Sequence, residues 1–148
     1  MFSSPPSSYS HIKHEDLNAI PIEPTWVLEG SPVMRVKRIH SSADGLYEVA
    51  LWECNAGKFR WHFNGDEVVH IVDGEVTVHE DDGTERTLRA GDTALFHVGS
   101  TNVWHVKSFV RKVATLRYHR PTPIDLARLV VRKARKELNK VLGAKKAA

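Results

Sequence analysis

The stretch that decides the fold is Gly57–Gly74, GKFRWHFNGDEVVHIVDG, in which His62 is followed by four residues, then Glu67, then six residues, then Gly74. A second Gly-bounded segment, Gly91–Val106, reads GDTALFHVGSTNVWHV and places Gly99 at a tight-turn position. Both segments alternate extended apolar runs with turn residues, so polar side chains of chemical interest fall where a loop enters a strand.

The same pattern extends outward from these segments. From Gly45 the chain takes up period two, with Tyr47, Val49 and Leu51 alternating with Glu48, Ala50 and Trp52, which predicts a strand. Val68 to Val72 and Glu75 to His79 flank Asp73-Gly74, a dipeptide suited to a tight hairpin turn. Asp82-Gly83 repeats that signal before Thr84 to Leu88, and Ala94 to Val98, Val103 to Val106 and Val110 to Tyr118 supply further short runs. Many short strands at regular spacing predict an all-β antiparallel sandwich or barrel.

The ends differ from this middle. Residues 1 to 28 read as a Ser/Pro-rich flexible start followed by a lead-in arm, since Pro21 and Pro24 disfavour a long regular element. The barrel is expected over residues 29 to 120. Over 121 to 148, Ile124, Ala127, Val130, Val131, Ala134, Leu138 and Val141 recur at helical spacing, which predicts one amphipathic helix ending near Gly143. Thr122 and Pro123 suit its cap and first turn.

With 148 residues, 41% of them hydrophobic, the chain is of single-domain length and able to bury one core. No apolar run is long enough for a spanning helix, and MFSSPPSSYS lacks the basic start and apolar stretch of a secretory signal. The lone cysteine, Cys54, fits a reducing compartment, so a cytoplasmic protein is expected, with Cys54 a buried small hydrophobe. The net charge of +3 is uneven: Pro123 to Ala148 holds eight basic residues against two acids, while the rest is net negative. Overall basicity therefore does not argue for nucleic acid, and no nucleic-acid motif is present. The basic helix is read as a dimer contact rather than a membrane or nucleic-acid surface, because no aromatic anchors its apolar stripe.

The run WECNAGKFRWHFNGDEVVHIVDGEV, supported by GDTALFHVGSTNVWHV, resembles the small single-domain cupins of the ureidoglycine aminohydrolase and ethanolamine-utilisation types, over about Pro32 to Arg117. The resemblance implies a double-stranded β-helix, or jelly roll, with an interior pocket, commonly assembled as a homodimer. It also implies a metal site of two His and a Glu from the first segment and a third His from the second. Carried over by spacing, His62 and Glu67 match, whereas Arg60 stands at the first His position and Asn102 at the third.

Chemistry gives those departures a meaning. A guanidinium has no lone pair to offer, and an amide oxygen coordinates weakly, so His62, Glu67 and Asn102 make a poor zinc site and an incomplete facial triad. His70 and His105 lie at odd strand offsets from Glu67 and Asn102 and should face away, while His97 sits in a turn near the pocket rim. No cofactor is expected, although a divalent metal (Zn, Mn, Fe or Ni) held with help from His97 stays open.

The residues leave three functional classes. The first is a metal-free cupin that binds a small polar or anionic metabolite, with Arg60 as a two-pronged clamp and Asn102, Trp104, His97 and Trp61 around the ligand. The second is a cupin enzyme, either a metal-assisted aminohydrolase-like hydrolase or a metal-free isomerase or lyase with Glu67 as general base and His62 as acid. The third is a structural or regulatory dimer. For each candidate a plainer role competes: His62 and Glu67 as a buried pair ordering the barrel mouth, Arg60 in an ion pair with Asp66, and the aromatics as core.

Overall fold

The computed structural model describes residues 6–11, 17–120, 122–124, 127, 130, 131 and 133–135. The chain divides into two compact units, Met1–Tyr118 and His119–Ala148. The first is an eight-stranded antiparallel sheet rolled into the expected jelly roll: β1 (Asn18–Ile20), β2 (Val27–Gly30), β3 (Met34–Ser41), β4 (Tyr47–His62), β5 (Asp66–His79), β6 (Glu85–Arg89), β7 (Thr93–Phe96) and β8 (Thr101–Arg117). The strand order is β1-β3-β4-β8-β5-β6, with β2 added to β4 and β7 to β5.

Two local readings change. Asp73-Gly74 is not a hairpin turn, because β5 runs through it without a break and pairs with β8 on both sides of a register shift. Gly74 takes a φ of 71° there, and a Cβ at that point would collide with the carbonyl oxygen of Phe109. The glycine thus serves a bulge against the neighbouring strand, a use of Gly that a local turn signal does not distinguish from a hairpin. Asp82-Gly83 does make the hairpin between β5 and β6, closed by Glu80 N–H to Thr84 O and Gly83 N–H to Glu80 O. The lead-in arm, for its part, joins the sheet: β1 pairs with β3, a short 3-10 turn at Pro24–Trp26 follows, and β2 pairs with β4.

A second irregularity matters more for the site. β4 and β8 pair along their whole length, but the register slips between Asn55 and Gly57. Before the slip the even-numbered Ala50, Trp52 and Cys54 are turned to the interior, with Glu48 at its rim; after it the odd-numbered Phe59 and Trp61 take over. At the slip Ala56 of β4 stands against two residues of β8, Lys107 and Ser108, and the inward-facing parity of β4 changes across it. Arg60 and His62 are exposed as a result.

The core is built from Met34, Trp52, Cys54, Phe59, Phe63, Val69, Ile71, Val76, Val78, Phe96, Trp104, Val106 and Val110. Burying each large side chain contributes about 1.5–3 kcal/mol. Trp52 meets Phe59, Trp61 and Trp104 edge-on or tilted at 5.9–6.5 Å, and Phe63 stacks on Phe96 at 4.6 Å. From the arm, Trp26 packs its edge on Trp61 at 6.1 Å.

In the second unit the described residues Pro123, Ile124, Ala127, Val130, Val131 and 133–135 are helical, as the spacing predicts. The helix's expected end near Gly143 lies outside the described residues, as do most of its basic side chains. No helix among the described residues is long and apolar enough to cross a membrane.

Candidate ligand-binding site

A cavity of about 170 Å³ opens into the barrel between β1, β3, β4, β5 and β8. Ala50, Trp52, Glu67, Lys112 and Ala114 line its buried part, and Ile20, Val36, Glu48, Trp61, Leu116 and Tyr118 its half-buried rim. The alternation of β8 explains the inner wall. Val110, Lys112, Ala114 and Leu116 share one parity and face inward, while Arg111 and Arg117 face out.

The centre of the site is an ion pair. Lys112 Nζ donates to Glu67 Oε1 at 2.6 Å, with side chains only 2% and 7% exposed. The ammonium also lies 4.5 Å from the Trp104 ring centroid, 4.8 Å from that of Trp52 and 5.9 Å from that of Trp61. A cation in such an indole cage is attracted by the negative ring faces, which offsets part of its lost hydration. A charge buried this deeply persists only because it is paired.

At the rim, Glu48 accepts from Arg38 Nε at 2.6 Å. Tyr118 is held in its neutral form: burial raises its phenol, and the Glu48 and Glu67 carboxylates raise it further. The wall therefore offers an ammonium, two carboxylates and a phenolic hydroxyl around an otherwise apolar space. Cys54 is buried in the core, with burial pushing its thiol up to about 12 against a smaller opposing pull from Lys112. That fits the buried, unreactive thiol expected from its neighbours.

The residues singled out from the sequence do not converge. Glu67 and Trp61 line the cavity. His62 does not pair with Glu67; its Nδ1 lies 2.8 Å from Thr101 Oγ1 on the outer face. Arg60 is exposed and does not line the cavity, being on the outward parity that β4 has after the register slip. Asn102 is buried and donates from Nδ2 to Glu80 Oε2, while its Oδ1 has no hydrogen-bond partner. Trp104 is buried in the core beside Lys112. His97 is exposed, 3.7 Å from Asp66, and His70 is exposed, as its strand offset predicts.

Lys112, Glu48 and Tyr118 went unmarked by sequence reading, because none lies in either Gly-bounded segment. One signal was available: Lys112 is a charged residue on the apolar parity of a strand, between Val110 and Ala114.

A family model for the EutQ-like cupin domain matches residues 41–114, half of the chain. The chain belongs to the EutQ-like cupin family. Solved structures agree on the fold of this cupin. A protein of unknown function from Pseudomonas syringae pv. tomato superposes with a TM-score of 0.62 at 19% identity, over 68% of this chain and 43% of that one. An acetylacetone dioxygenase from Acinetobacter johnsonii gives 0.59 at 17%, over 78% and 76%. The Clostridium difficile EutQ protein gives 0.53 at 18%, over 67% and 81%. Among curated proteins, none matches this cupin in sequence.

The divalent metal that the fold family implies does not fit the side chains present. Glu67 is already committed to an ammonium, and His62, Arg60 and Asn102 do not line the cavity that Glu67 faces. No group of three or more His, Cys, Asp or Glu set to hold a metal ion occurs among the described residues.

Proposed function

We propose that this cupin binds a small molecule in the barrel cavity without a metal, through an apolar body against Trp52, Trp61 and the aliphatic wall and one polar group at Lys112 and Glu67. The observation that carries this reading is a charged pair lining an otherwise apolar cavity. Its volume of about 170 Å³ is below the roughly 300–1,000 Å³ of pockets for drug-sized ligands, which favours a small metabolite. The charges favour a neutral polar group over an anion: Glu48 and Glu67 both face the space, and Arg60, the expected anion clamp, does not. A hydroxyl can accept from Lys112 and donate to Glu67, and a carbonyl can accept from Lys112.

The test is a thermal-shift and tryptophan-fluorescence screen of small carbonyl and hydroxy compounds against the full chain and Ala114→Leu, which fills the cavity. Compounds that shift the wild type and leave folded Ala114→Leu unmoved support the reading. Equal responses from both proteins refute it.

A second reading rests on Tyr118. A neutral phenol beside a cavity carboxylate suits proton transfer, with Glu67 as base and Tyr118 as acid in a metal-free isomerase or lyase. Tyr118→Phe separates the two, since it abolishes such turnover and leaves binding near its original strength. A homodimer through the C-terminal helix is also part of the proposal, supported by the exposed Ile124, Val130 and Val131. Sedimentation of a chain ending at Thr122 tests it, and an unchanged dimer refutes that contact.

A further inference from the structure

We infer that Lys112 is the barrel's resident cation: its ammonium, fixed on Glu67 inside a cage of indoles, takes the place that a bound divalent ion would need and closes the interior to metals. The inference rests on the metal-free part of the reading above and not on which ligand fills the barrel.

Three observations carry it. First, Nζ and Glu67 Oε1 are 2.6 Å apart with both side chains nearly fully buried, so a metal on that carboxylate would lie beside a fixed positive charge. At such separations in a medium poorer than water, repulsion between a divalent ion and an ammonium is severe. Second, the groups around the ammonium are the wrong ones for a metal. Trp52, Trp61 and Trp104 present ring faces 4.5–5.9 Å away, and an indole nitrogen is a donor without a lone pair to give. These faces suit a monovalent alkylammonium instead. Third, past the register slip between β4 and β8 His62 is turned outward onto Thr101, so its imidazole does not stand ready to compete for a metal at Glu67.

The side chain can be replaced by its own fragment. In Lys112→Ala the part removed beyond Cβ corresponds to n-propylammonium, and the position lines a cavity through which that ion can enter. In the full chain, n-propylammonium raises the melting temperature of Lys112→Ala by several degrees, n-propanol of nearly equal size does not, and n-propylammonium affects neither the wild type nor Lys112→Ala/Glu67→Gln. Stabilisation of Lys112→Ala by n-propanol equal to that by n-propylammonium overturns the inference, because space rather than charge would then be what the site recognises. No response to either compound by a folded Lys112→Ala also overturns it.

A second measurement decides the matter where Lys112→Ala does not fold. Mn²⁺ titrated into wild type and Glu67→Gln, followed by the paramagnetic signal of the free ion, gives indistinguishable isotherms if Glu67 is closed to metals. A tenfold or greater loss of Mn²⁺ affinity in Glu67→Gln overturns the inference. Metal binding at Glu67 would also remove the metal-free part of the ligand proposal, whereas ligand binding in the cavity is tested separately by Ala114→Leu, with no metal present.

Discussion

Removing one charge of the Lys112–Glu67 pair should cost more than removing both. Lys112→Met keeps most of the side chain's length and apolar stem but leaves the Glu67 carboxylate buried with no counter-charge. The pair is 2.6 Å long, and its side chains are 2% and 7% exposed. Breaking a buried ion pair from one side costs about 3–5 kcal/mol, and the same range holds for Glu67→Leu, which strands the ammonium. For a chain of this size about 4 kcal/mol corresponds to a fall in melting temperature of roughly 8–16 °C. Lys112→Met/Glu67→Leu removes the buried charges together and lets apolar groups meet the indole rings. Such replacements are neutral or even stabilising, so the double variant should lie within about 2 kcal/mol of wild type, with a coupling energy of at least about 3 kcal/mol. The assay is urea unfolding followed by far-ultraviolet circular dichroism, because indole fluorescence responds directly to the nearby substitution. Additive losses, with the double variant the least stable of the three, would refute the claim that the two groups exist to neutralise each other.

Other outcomes follow from particular residues. Gly74→Ala should destabilise the barrel by more than about 2 kcal/mol, since a residue other than Gly at positive φ is strained and its Cβ would strike the Phe109 carbonyl; a melting temperature within 2 °C of wild type, roughly, would count against the bulge. Cys54, 1% exposed, should resist a disulfide reagent at pH 8.5 until denaturant is added. Because its folded thiol is raised from 9.0 to about 12, its contribution to stability is complete below pH 9 and declines as pH climbs toward 12, by up to about 1.4 kcal/mol per pH unit. A Cys54→Ala variant should lose that decline, and an unchanged alkaline slope would refute the assignment. His62→Ala should cost less than about 1 kcal/mol, as expected for a partly solvated hydrogen bond, with no effect on ligand binding; loss of binding would place His62 back at the site.

The parts of this fold that were legible in the sequence were those written in period two. Tyr47 to Trp52 read as a strand and form the start of β4, and Asp82-Gly83 read as a hairpin and is one. Asp73-Gly74 carries the same local signal, yet its glycine answers to a neighbouring strand, which no local pattern contains. The site was legible only in Glu67 and Trp61. Motif spacing put Arg60 and His62 in the pocket, but a single register slip between Asn55 and Gly57 reversed their side, and nothing in NAGKF announces it. Lys112 was hidden for a different reason. A lysine in a strand is ordinarily taken as solvent-facing, and only its parity with Val110 and Ala114 argued otherwise.

The order of the strands bears on how the molecule comes into being. β4 and β5 do not pair with each other; each pairs with β8, which is the last strand of the barrel and lies between them over most of its 17 residues. A chain emerging from the ribosome must therefore hold two long, sticky strands apart until residue 117 is available to bridge them. Such non-local pairing is slow, and unpaired edges are templates for association with other chains. Assembly of this barrel is consequently a late and nearly all-or-none event, and a nascent chain stalled before Thr101 is the species most in need of a chaperone.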